Sequence, residues 1–111
     1  MLFYRVLDLL SQFKERSKLL RMTSVDAAKM FTDNSLDFVF IDANHSYQGV
    51  KDDLISWYDK VRDGGILSGD DYTIDIFPGL VKAVDEFFSS KKLQVNQDSD
   101  HPRIWWVIKS N

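Results

Sequence analysis

The sequence predicts an α/β fold with a mostly parallel sheet and a C-terminal antiparallel hairpin. Three observations predict it. Over residues 36–72 an apolar run, a helical pattern and a second apolar run follow one another, the order of a β-α-β unit. Each run stops at acid: Phe38-Val39-Phe40-Ile41 at Asp42, and Ile66-Leu67, through Ser68-Gly69, at Asp70-Asp71. After another helical pattern, two β-rich stretches flank the polar turn Asp98-Ser99-Asp100-His101-Pro102.

The elements follow in chain order. Leu2, Phe3, Val6, Leu7, Leu10 and Phe13 recur at helical spacing, which predicts a helix over residues 2–16. Arg5 and Asp8 interrupt its apolar character and no small-residue cleavage site follows, so an amphipathic helix is read here and not a signal peptide. Residues 18–22 read as a short strand. Thr23 and Ser24 supply N-cap chemistry for a helix over residues 25–31. Asp33-Asn34-Ser35 is a turn, and residues 36–42 form a strand whose unbroken apolar run predicts burial on both faces.

Ser46 is placed to cap a helix over residues 47–61, with Val50, Leu54, Trp57 and Val61 on one stripe. Burying each such side chain contributes roughly 1.5–3 kcal/mol. Asp63-Gly64-Gly65 turns the chain into a strand over 66–68. Pro78 suits the first turn of a helix over 78–89, with Leu80, Val81, Val84, Phe87 and Phe88 inward. Strands over 93–97 and 103–108 complete the hairpin, and alternation puts Trp105 and Trp106 on opposite faces.

Composition bounds the function. A chain of 111 residues, 44% of them hydrophobic, is one domain with one core. A net charge of −3 and a pI near 5.2 argue against nucleic acid or an anionic membrane as partner. The absence of cysteine excludes disulfides, thiolate metal sites and a Cys nucleophile, and fits a reducing cytoplasm. The chain has no Walker motif, no GxSxG and no zinc-type His/Cys spacing.

In a parallel sheet, ligands bind outside the carboxyl ends of the strands. That rule brings Asp42, Asp70 and Asp71 to one crevice. Three carboxylates suit a hard divalent cation such as Mg²⁺; the competing reading is that acids end strands and start turns for local reasons. His45, three residues after Asp42, is a candidate general base on a bound hydroxyl, a metal ligand, or a bridge between loop and helix. Tyr47 and Tyr72 flank the crevice. His101 sits in the polar turn and is expected to be exposed and inert.

The stretch LDFVFIDANHSYQGVKDDLISWYDKVRDGGILSGDDY resembles the class I S-adenosylmethionine-dependent methyltransferases. The branch it is most similar to reads roughly DFVFIDGxHSYEGVxxDLxxWxxxLxxGGxLxGHDY, and residues 81–88 fit the helix that follows. The resemblance implies a three-layer Rossmann-like methyltransferase fold, with residues 1–111 a single truncated domain. It implies S-adenosylmethionine as cofactor, near Thr23, Ser24, Asp42 and Tyr47. It also implies Mg²⁺ on Asp42, Asp70 and Asp71, with His45 and Asp42 in catalytic roles. The activity expected is methyl transfer to the hydroxyl of a small-molecule substrate. The family's Gly-rich loop of GxGxG type is missing: the glycines are Gly49, Gly64, Gly65, Gly69 and Gly79. Transfer would therefore need a partner chain or a further N-terminal segment. The alternative is a catalytically inactive remnant that oligomerises or holds a ligand or metal.

The family's strand order is 3-2-1-4-5-7-6. Without its first two strands the edge beside residues 36–42 stands open. Strand 18–22 or a second copy of the chain, as a homodimer, is expected to fill it.

Overall fold

A computed structural model describes residues 23–42 and 45–110. The expected helix over 2–16 and strand over 18–22 lie outside the described residues. The chain order is α1 (Ser24–Ala28), β1 (Leu36–Ile41), α2 (Tyr47–Tyr58), β2 (Val61–Gly69), α3 (Pro78–Ser90), β3 (Asn96–Gln97) and β4 (Trp105–Ile108). The sheet order is β1-β2-β4-β3, which is the 4-5-7-6 part of the expected order. The β1–β2 ladder is parallel, and β4 runs antiparallel to both β2 and β3.

Local chemistry sets the helix starts. Thr23 Oγ1 accepts the Asp26 amide at 3.2 Å, and Ser46 Oγ accepts the Gly49 amide at 3.1 Å. Pro78 opens α3. Several boundaries differ from the sequence expectation: α1 stops at Ala28 and not at residue 31, β3 covers only Asn96–Gln97 of the expected 93–97, and β4 starts at Trp105 and not at residue 103. Helix α2 ends at Tyr58, because the Lys60 amide closes on the Trp57 carbonyl at 3.0 Å and the chain turns. Strand β2 starts at Val61, five residues before Ile66, and contains the Gly64-Gly65 turn as a bulge. Leu36 pairs with Val61 but Phe38 pairs with Ile66, so Arg62–Gly65 are looped out. Gly64 takes φ +83° there, which a side chain would resist. Arg62 Nε spans the bulge to Asp37 Oδ1 at 2.8 Å.

The core lies between the sheet and the α2–α3 layer. Val50, Leu54 and Tyr58 of α2 and Leu80, Val81, Val84 and Phe88 of α3 pack on Leu67, Trp105 and Val107. Phe88 stands between Phe87 and Trp105, with ring centroids 5.0 and 5.6 Å away. Burial of β1 is one-sided, unlike the expectation. Val39 and Ile41 face the helices, whereas Phe38 and Phe40 remain 57% and 42% exposed. The alternation of a strand puts those two on the other face, which no described helix covers.

One buried charge braces the amino end of β2. Lys109 is 4% exposed, and its Nζ donates to Val61 O at 2.8 Å and to Tyr58 O and Asn34 Oδ1 at 3.1 Å. The ammonium also lies 4.8 Å from the Tyr58 ring centroid. Three oxygen acceptors use its three donors, which makes a buried cation tolerable. Lys109→Met keeps the stem and removes those bonds. It should cost about 2–3 kcal/mol in urea unfolding; a change below ~0.5 kcal/mol would show that water replaces the ammonium freely.

Candidate active site

The parallel pairing of β1 and β2 delivers their carboxyl ends side by side. Ile41 pairs with Gly69, and the Asp70 amide reaches the Ile41 carbonyl at 3.3 Å. Gly69 permits this closeness. A Cβ there would lie 2.6 Å from Trp105 Nε1 and 2.8 Å from the Ile41 carbonyl oxygen. The residues that follow each strand, Asp42 and Asp70-Asp71, therefore meet. One carboxylate oxygen from each of the three lies within 4.8 Å of the others.

Asp71 is the most constrained member. Its backbone takes φ +65°, an uncommon state for a residue with a side chain. Its amide donates to Asp70 Oδ1 at 2.7 Å. Asp71 Oδ2 lies 2.7 Å from His45 Nε2, and Oδ1 accepts from Arg103 Nη2 at 2.8 Å. The His45 ring stacks on Phe77, centroids 4.1 Å apart and planes 14° from parallel. A neutral His45 that donates from Nε2 keeps Nδ1 as its acceptor nitrogen.

The structure thus brings Asp42, Asp70 and Asp71 together and sets His45 against Asp71. The other candidates have partners elsewhere. Thr23 caps α1. Ser24 Oγ accepts the Trp57 indole N–H at 2.8 Å and hydrogen-bonds Asp53. The Tyr47 hydroxyl lies 3.2 Å from both Glu86 carboxylate oxygens, with Lys51 and Lys82 over its ring. Tyr72 donates its hydroxyl to Asp85. Burial, then that bond and the Asp85 charge, push the phenol well above its ordinary range, so Tyr72 stays a donor and not a base.

Neither Arg103 nor Phe77 is among the site candidates that the sequence offers. Arg103 sits after Pro102 in the polar turn, and only tertiary structure carries it to Asp71. It lines a cavity of about 430 Å³ with Asp70, Asp100, His101, Pro102 and Ile104. His101 is exposed on that wall. A second cavity, about 510 Å³, lies beyond Arg103 between Tyr72, Ile74, Val81 and Pro102.

The sequence matches a family profile described as a methyltransferase domain over residues 4–72. The chain belongs to this methyltransferase family. The kinship is with class I S-adenosylmethionine-dependent enzymes, and the α/β sheet fits it. A search of curated proteins finds no match. Among solved structures, a Corynebacterium glutamicum protein superimposes with a TM-score of 0.76 at 17% identity, over 94% of this chain and 54% of its own. The O-methyltransferase NovP gives a TM-score of 0.53 at 22% identity, over 68% of this chain and 31% of its own. The methyltransferase-family chain described here therefore spans about half, or less, of these two structures. Among the described residues no helix is long and apolar enough to cross a membrane.

Two predictions follow from this geometry. Gly69→Ala should destabilise the fold by ~1–3 kcal/mol in denaturant titration, because the methyl group overlaps Trp105 and β1; a neutral result would mean the strands separate without cost. Asp53 gives the second. It is 5% exposed, and burial pushes its carboxyl up, opposed by the Ser24 hydrogen bond and reinforced by Asp52. A raised folded value means stability is fullest below the ordinary carboxylate range and declines as pH rises through the folded value. Asp53→Asn should flatten that decline. Melting curves of the two proteins that stay parallel across pH would contradict it.

Proposed function

We propose that this chain carries the acceptor side of an S-adenosylmethionine-dependent methyl transfer to a small-molecule hydroxyl, assisted by a divalent cation such as Mg²⁺. The observation that supports it is the meeting of Asp42, Asp70 and Asp71 at the shared strand edge, within reach of His45. Three carboxylate oxygens are a hard donor set, and Mg²⁺ takes such ligands while retaining waters. Among the described residues each Asp71 oxygen has one hydrogen-bond partner, which leaves lone-pair capacity for a cation. The cation, when bound, would lower the pKa of an acceptor hydroxyl.

His45 is the proton acceptor in this proposal. Asp71 on Nε2 and Phe77 beneath the ring hold it in one orientation, with Nδ1 as the basic atom. The acceptor's body would lie in the cavities on either side of Arg103. In-line transfer needs sulfonium and acceptor in near-attack geometry, and this chain has no GxGxG loop to seat the methionine end. The proposal places that loop on a partner chain, such as a second copy, or on a longer form of the protein.

The missing loop also favours a second reading: a family member that binds ligand or metal without transferring a methyl group. Titration with S-adenosylhomocysteine separates the two. A Kd below about 100 μM, near −5.5 kcal/mol, supports transfer; no heat in the presence or absence of Mg²⁺ favours the second reading. The metal assignment is tested by Asp70→Asn combined with Asp71→Asn. Asn tolerates the positive φ at position 71, so the fold should persist while Mg²⁺ binding disappears. An unchanged Mg²⁺ affinity would remove the three acids from the mechanism.

A further inference from the structure

Arg103 belongs to no motif in the sequence, yet it makes two contacts with the carboxyl end of β2. Its guanidinium donates to Asp71 Oδ1, and its carbonyl accepts the Tyr72 amide at 2.8 Å. The turn that presents it is tightly built. Asp98 Oδ2 accepts the amides of Asp100 and His101 at 3.2 and 2.8 Å, and Gln97 Nε2 donates to Pro102 O at 2.8 Å. The Asp98 amide reaches Ile104 O at 3.0 Å. The backbone of Arg103 is therefore fixed independently of its side chain.

We propose that Arg103 is the positioning residue of the acidic cluster, holding the Asp71 carboxylate toward Asp42 and Asp70. The inference rests on the cation reading given above. Two effects of Arg103 oppose each other. Its positive charge repels an incoming cation, which favours tighter binding once it is removed. Its hydrogen bond fixes one oxygen of a carboxylate that His45 would otherwise hold alone, which favours weaker binding once it is removed.

Geometry decides for the second effect. The contact is made to one oxygen of Asp71 while His45 holds the other, so the pair sets the plane of the carboxylate. The Arg103 side chain is 55% exposed against 16% for Asp71. Solvent therefore screens the guanidinium charge, which weakens the first effect. Hydrogen-bond partners of metal-holding groups typically contribute about 10–100-fold in metal affinity.

The test is titration of the full chain with Mn²⁺, read by the electron paramagnetic resonance of the free ion. It compares the wild type, Arg103→Gln and Arg103→Lys. Arg103→Gln should weaken Mn²⁺ binding about 10–100-fold with the melting temperature nearly unchanged, since the backbone contact to Tyr72 remains. Arg103→Lys keeps a charged donor but loses the planar fork, and should fall between the two. It also serves if the Gln variant does not fold. Equal or tighter Mn²⁺ binding in the variants, with a binding wild type, overturns the positioning role alone. No Mn²⁺ binding by the wild type overturns the cation reading and this role with it.

Discussion

The approach of three strands at Gly69 is the constraint on which the site depends. Ile41 on one side and Trp105 on the other leave no room for a Cβ. At that point the backbone of β1 and the Trp105 indole of β4 close on β2, and the next residue of each parallel strand is an acid. The packing of Trp105 under Phe88 ties this junction to the α2–α3 layer. Core and site are therefore one mechanical unit, and the spacing of the carboxylates follows from how tightly the sheet closes.

The two ends of β2 handle charge in opposite ways. At the amino end, Lys109 is sequestered, and three neutral oxygens use up its donors. Such a group braces structure and has no capacity left for a ligand. At the carboxyl end three carboxylates crowd together, and Asp71 alone of them pairs with Arg103 and hydrogen-bonds His45 among the described residues. Like charges held close disfavour one another, and Arg103, with His45 when protonated, offsets part of that cost. The less balanced end is the carboxyl edge of the parallel strands, outside which open α/β sheets bind ligands.

Much of this was legible in residue order. Apolar runs ending in Asp42 and in Asp70-Asp71 announced parallel strands with acids at one edge, and Ser46 and Pro78 marked helix starts. Trp105 and Trp106 divided between two faces as alternation requires: Trp105 is buried and Trp106 is half-buried. Other features depend on tertiary facts that no local pattern encodes. The Gly64-Gly65 turn reads as a strand boundary, whereas pairing with Leu36 extends β2 back to Val61. Phe38 and Phe40 read as buried, because an apolar run does not tell which face finds a covering layer. The partners of the Ser24 and Tyr47 hydroxyls, Trp57 and Glu86, lie 33 and 39 positions away in sequence. Arg103 enters through a contact spanning 32 positions in sequence.

The central claim is that the edge formed by Asp42, Asp70 and Asp71 is a cation-holding end of a methyl-acceptor site. Paramagnetic broadening by Mn²⁺ in an amide nitrogen-proton NMR spectrum tests it most directly. The account predicts that low Mn²⁺ broadens the amides of Asp42, His45, Asp70, Asp71 and Tyr72 first. Signals of Val61 and Lys109 at the far end of the sheet should survive. Broadening spread over the exposed acids without preference, or centred away from this edge, would contradict it.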